Sequence, residues 1–211
     1  VAPPAAARAR PRTKAQQQAW IKPGVFLGAL VPLGVLAARA SRGTLGADPV
    51  AIALNHLGLL ALIFLWASLA ATPLKIAFGW AWPARLRRML GLFAFFYASL
   101  HVALYVGVDQ GLSLDAIVAD VTKRVFITSG FVAYVLLIPL ALTSTAGMVR
   151  RLGGARWRRL HRLAYVAALF AALHFVWRVK IDVTQPAAYA LLLLLLFAAR
   201  LWKAARRGPA A

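Results

Sequence analysis

Cysteine is absent from the 211 residues, which excludes disulfides, iron–sulfur clusters, thiolate-ligated iron and cysteine zinc sites. Any metal must be held by other ligands, and thiols say nothing about the redox compartment. Acidic side chains are nearly as scarce: five aspartates stand against 25 lysines and arginines. No catalytic triad, metal-hydrolase motif or phosphate loop is present. What is there instead is apolar. Hydrophobic residues make up 62% and mean hydropathy is +0.74, far outside the range of soluble globular domains, so the chain reads as an integral membrane protein. A formal charge of +20 would suggest nucleic acid in a soluble protein. In a membrane protein its distribution along the chain decides.

Residues 1–18, rich in Ala, Pro, Arg and Gln, carry too little apolar content to fold alone and read as a disordered basic cytoplasmic tail. No signal peptide is evident, because the first apolar run, residues 25–38, is followed by Arg39 and Arg42 without a small-residue cleavage site. Five more apolar segments follow at residues 52–71, 89–108, 125–142, 160–179 and 187–202, each near the ~20 residues that cross a bilayer core. Their continuous rather than alternating character argues against a barrel. The expected fold is therefore all-α: a six-helix transmembrane bundle over residues 19–203, with a short cytoplasmic tail at 204–211. No internal repeat and no intramembrane carboxylate of the kind found in transporters is evident.

Six spans put both termini on one side. The N-terminal tail, the second and fourth loops and the C-terminus hold nineteen Lys and Arg, while the other loops hold six together with all five aspartates. The positive-inside rule places both termini in the cytoplasm. It also accounts for the basic charge without a nucleic-acid partner.

Four histidines carry the chemical interest. The third and fifth spans run in the same direction, and His101 lies 13 residues beyond Arg88 while His174 lies 12 beyond Arg162. At 1.5 Å per residue both sit about 18–20 Å from the inner boundary. Two neutral imidazoles at one depth on neighbouring helices suit the axial positions of a b-type haem; the plainer reading is a hydrogen bond from each to another helix. His161, at the inner end of the fifth span, is either an interfacial residue of the basic collar or part of a second haem or quinone site. Against a second haem, it lies about 140° around the helix from His174, and fourteen residues before His101 stands Arg87. His56, near the outer level, suits a haem propionate, a quinone head group, an alternative ligand, or simply a cap or interhelical hydrogen bond. The arginines around Arg156, including Arg158 and Arg159, suit propionates, a flavin phosphate or, by default, anionic lipid headgroups.

The order Leu45-Gly-Ala-Asp-Pro49, Asn55-His-Leu-Gly58, Thr72-Pro-Leu74, Arg87-Arg-Met-Leu-Gly-Leu92, Ser99-Leu-His101, Thr122-Lys-Arg124, Leu140-Ala-Leu-Thr-Ser-Thr145, Trp157-Arg-Arg-Leu-His161 and His174-Phe-Val-Trp-Arg-Val-Lys180 resembles the MsrQ family. These are haem-binding membrane subunits of bacterial periplasmic methionine-sulfoxide reductase systems, within the ferric-reductase-like transmembrane superfamily. The likeness covers about residues 20–203; its single motifs are weak and their series is specific. It implies a bacterial inner-membrane b-haem protein that takes electrons from the quinone pool and passes them to a periplasmic MsrP-like molybdopterin reductase, which repairs oxidised methionine. It further implies that His101, His161 and His174 are haem ligands, and that FMN is an associated cofactor. The alternatives are a metal-reductase component with another acceptor, or a haem-free transporter or scaffold.

Overall fold

Apolar runs of bilayer length can satisfy their backbone polar groups only within helices or closed barrels. The computed structural model describes residues 20–206 and contains no strand among them. The tail expected over residues 1–18, and residues 207–211, lie outside the described residues. In chain order the helices are α1 (Ile21–Ser41), α2 (Pro49–Phe78), α3 (Pro83–Leu104), α4 (Leu114–Lys123), α5 (Val125–Leu142), α6 (Ala146–Leu152), α7 (Gly154–Leu160), α8 (Leu163–Arg178) and α9 (Thr184–Ala205). Six helices among the described residues are long and apolar enough to cross a membrane, α7 and α8 together forming the fifth of them. The protein is thus a multi-pass, all-helical membrane protein.

The ends of α2 show how the sequence sets these boundaries. The Asp48 side chain accepts the Ala51 N–H at 2.9 Å, and Pro49 occupies the first helical turn, where its missing N–H costs nothing. The helix therefore starts three residues before the expected span. It also passes straight through Thr72-Pro73. Pro73 cannot donate to the Leu69 carbonyl, and Arg200, from α9, donates to that carbonyl instead. Gly79 closes the helix in the left-handed conformation (φ 69°).

The bundle is built from two tightly packed pairs, α2 on α3 and α5 on α8, with α9 against α2 and α8 and with α1 on the flank of the first pair. Ala94 on α3 and Ala167 and Ala168 on α8 are fully buried, and such small residues let helices approach closely. Trp66 donates to the Tyr189 carbonyl at 3.0 Å, tying α9 to α2. Tyr97, fully buried, donates to the Ala29 carbonyl at 2.5 Å and ties α3 to α1.

Two features were not expected from the sequence. Directly after α3, residues Tyr105–Asp109 form a π-helical turn, the kind of local widening that gathers near functional sites. The segment after it, one of the aspartate-bearing connections between the expected spans, contains α4. Ser113 caps it by accepting the Ala116 N–H, and its Leu114 and Val118 are exposed.

Candidate functional site

Between the two helix pairs lies a cavity of about 310 Å³. Its walls are chiefly apolar, from Leu62 and Leu65 on α2 to Ala133 and Leu137 on α5. Its mouth is polar, with Asn55, Tyr105, Asp109, Asp120, Arg124 and Arg178. His101 of α3 and His174 of α8 face each other across it, their ring centroids 6.2 Å apart and their planes at 80°.

Each imidazole is anchored by a backbone carbonyl of the partner helix. His101 Nδ1 lies 2.9 Å from the Leu54 oxygen, and His174 Nδ1 lies 2.6 Å from the Phe126 oxygen. A carbonyl can only accept, so Nδ1 carries the proton in both rings and Nε2 keeps its lone pair. A glycine stands four residues after each carbonyl. A Cβ at Gly58 would lie 3.2 Å from His101 Nδ1, and one at Gly130 would lie 2.7 Å from His174 Nδ1.

The two pairs repeat one another. Every α5 residue lining the cavity has a lining counterpart on α2 seventy-two positions earlier, and every lining residue of α8 has one seventy-three positions earlier, on α3 or in the π-helical turn that follows it. Leu54 answers to Phe126, Gly58 to Gly130, Ala98 to Ala171 and His101 to His174. The halves form a pseudo-twofold cradle, although no repeat stands out in the sequence. The signal that would have found it is the spacing from carbonyl to histidine, 47 residues in one half and 48 in the other.

The symmetry fails at the mouth, where Tyr105 of the first half answers to Arg178 of the second. The Tyr105 hydroxyl donates to Asp120 at 2.9 Å. Arg124 pairs with the same carboxylate at 3.0 Å. Arg178 donates to the Asn55 side chain at 2.6 Å. Asn55, Tyr105, Arg124 and Arg178 were not singled out as site residues from the sequence, because their meeting depends on which helices pair.

The other sequence candidates lie elsewhere. His56 is exposed, with Nδ1 2.9 Å from the Ile52 carbonyl of its own helix, and does not line the cavity. Arg158 and Arg159 are exposed on α7, also away from the cavity. His161 follows α7, its ring stacked on Trp157 with centroids 3.9 Å apart. Its Nε2 is 3.0 Å from the Thr143 hydroxyl, which itself donates to the Pro139 carbonyl at 2.6 Å. With the hydroxyl proton so used, Nε2 is the donor to Thr143. The residue answering to His161 in the first half is Arg88, which is exposed.

Residues 55–172 match the family of ferric reductase like transmembrane components. The chain is 52% identical to a protein of Rhodospirillum rubrum, over 87% of this chain and 88% of the relative. It is 53% identical to one of Deinococcus radiodurans, over 89% and 93%, and 47% identical to one of Herminiimonas arsenicoxydans, over 86% and 84%. All three relatives are named protein-methionine-sulfoxide reductase heme-binding subunit MsrQ.

Proposed function

The chain belongs to the ferric reductase-like transmembrane components and, among them, to the MsrQ family, and from that membership we propose that it is the haem-binding, electron-transferring membrane subunit of a methionine-sulfoxide reductase system. The haem is of b type and is held by His101 and His174. Its donor is a quinol of the membrane pool, and its acceptor is an MsrP-like molybdopterin reductase on the periplasmic side of the bacterial inner membrane.

The observation that carries this reading is the facing pair of imidazoles, 6.2 Å apart between ring centres. Rings at that separation, with both Nδ1 atoms turned to backbone carbonyls, would hold an iron between them through Nε2. The donor set also points to a metal with its own equatorial ligands. Among the described residues no group of three or more His, Asp or Glu could hold a bare ion, and two imidazoles are what a macrocycle-bound iron lacks. The apolar walls suit a porphyrin, and Arg178 and Arg124 place cations at the mouth, where carboxylates of the group would meet water.

When bound, haem supplies a reversible one-electron centre. The protein supplies the rest. The Leu54 and Phe126 carbonyls fix both imidazoles in the tautomer that leaves Nε2 free, and the leucine and alanine walls give the cavity an apolar lining. The position of the pair toward the polar mouth puts the electron near the face where a soluble acceptor docks. His161 supports the inner end through its contacts with Trp157 and Thr143, and the site proposed here holds one haem. No residues are assigned to FMN.

The test is the absorption spectrum and pyridine haemochrome content of the purified protein, oxidised and reduced. Wild type should show a low-spin b spectrum that His101→Ala and His174→Ala lose and His161→Ala keeps. Retention of that spectrum in both of the first two variants would sink the assignment. A stopped-flow comparison of quinol as reductant, and of MsrP-like enzyme against ferric chelate as oxidant, tests donor and acceptor; a haem that only ferric chelate reoxidises would make the protein a metal reductase component instead.

A further inference from the structure

The two glycines beside the histidines recur at one place in the helical repeat. In an α-helix the carbonyl of residue i already accepts the N–H of residue i+4, and side chains tilt toward the N-terminus, so the Cβ of residue i+4 stands beside that carbonyl. An indole or hydroxyl can reach past that Cβ, as Trp66 does at the Tyr189 carbonyl, but at Leu54 and Phe126 the imidazole approaches through the space that the Cβ itself would fill. Gly58 follows Leu54 by four residues and Gly130 follows Phe126 by four. In each case the imidazole of the packed helix occupies the space that the Cβ would take. Gly91, a third helical glycine in this region, would place its Cβ at an ordinary 3.4 Å from Ser68.

We propose that Gly58 and Gly130 are positioning residues: each opens a notch in a helix through which the histidine of the packed helix donates its Nδ1–H to a main-chain carbonyl, and the two notches together set the donor strength of both iron ligands. The inference rests on the reading that His101 and His174 hold haem. Its chemical content is separate. A carbonyl that accepts Nδ1–H makes the imidazole a stronger base and a stronger donor at Nε2, which favours ferric over ferrous iron. Because the acceptor is main chain, no substitution at Leu54 or Phe126 removes it. The glycines give a handle on it, and they act on the metal without touching it.

The experiment is a spectroelectrochemical titration of haem-loaded Gly58→Ala, Gly130→Ala and the control Gly91→Ala, with the low-spin signals of the ferric form recorded by electron paramagnetic resonance. Midpoint potential is read on the bound fraction, so a change in occupancy does not enter. We expect the reduced-to-oxidised ratio at a fixed potential to rise about threefold in Gly58→Ala and about tenfold in Gly130→Ala, where the clash is closer; tenfold is about 59 mV for one electron. The ferric signals should shift in the same two variants, and Gly91→Ala should match wild type. If Gly130→Ala does not fold, Gly58→Ala decides alone, since a Cβ there needs only a small displacement. Wild-type potentials and spectra in the Gly58 and Gly130 variants, with haem lost from His101→Ala and His174→Ala, overturn the notch and leave the haem assignment standing. Haem retained in both histidine variants overturns both.

Discussion

Tyr97 shows how much one buried polar atom does in a bundle with few of them. Its ring is fully buried and stacks on Phe64 with centroids 5.4 Å apart, and its hydroxyl spans from α3 to the Ala29 carbonyl of α1. Tyr97→Phe keeps the packing and removes the bond, so a loss of about 1 kcal/mol is expected. A lowered unfolding midpoint in detergent would show it; an unchanged midpoint would mean that α1 is held by packing alone. At this scale the sequence was partly legible. The depth of His101 and His174 could be counted from the basic collars because helix rise is constant, and the structure brings those two rings together. Gly58 and Gly130 could not be read, because a helical glycine is informative only when the neighbour that fills its space is known. Arg178 stands in the sequence as one more charge at the end of the fifth span, and only the pairing of α8 with α2 at the mouth gives it Asn55 as a partner.

Among the elements, α2 and α9 are linked by the exchange at Pro73. Arg200 reaches across to the carbonyl that the proline leaves without a helical donor, and its guanidinium also lies 5.3 Å from the centre of the Tyr165 ring. Arg200→Leu should therefore cost about 1–3 kcal/mol in the wild-type background, and clearly less in Pro73→Ala, where the helix supplies its own N–H. A double-mutant cycle on unfolding in detergent measures the difference; strictly additive effects would show that the arginine acts elsewhere. The spans themselves were legible because twenty apolar residues admit few alternatives, whereas their ends were not. Capping by Asp48 and rescue by Arg200 lengthen α2 at both ends beyond its apolar stretch. Helix α4 was hidden for a related reason: only ten residues long, it follows too short and too mixed a pattern to stand apart from a charged loop.

At the scale of the whole molecule, the absence of cysteine turns orientation into a direct measurement. Asp115→Cys on α4 and Ala155→Cys on α7 are both exposed positions. A membrane-impermeant maleimide should label the first in spheroplasts and the second only in inverted vesicles; the reverse pattern would overturn the topology drawn from the basic loops. The repeat of the two halves stayed unread because it lives in lining positions rather than in runs of similar residues, and a bilayer-spanning helix accepts leucine, alanine or phenylalanine without changing its place. That repeat has a mechanical side. His101 is braced by α2 and His174 by α5, so each ring is fixed to its own helix pair, while pair is joined to pair by packing, by Arg178 on Asn55 at the mouth and by the Tyr134 hydroxyl on Ser99 at 3.2 Å. The site is built as a vice with two stiff jaws clasped at the mouth, so the gap between the imidazoles is set by how the two pairs are held together rather than by the posture of either ring.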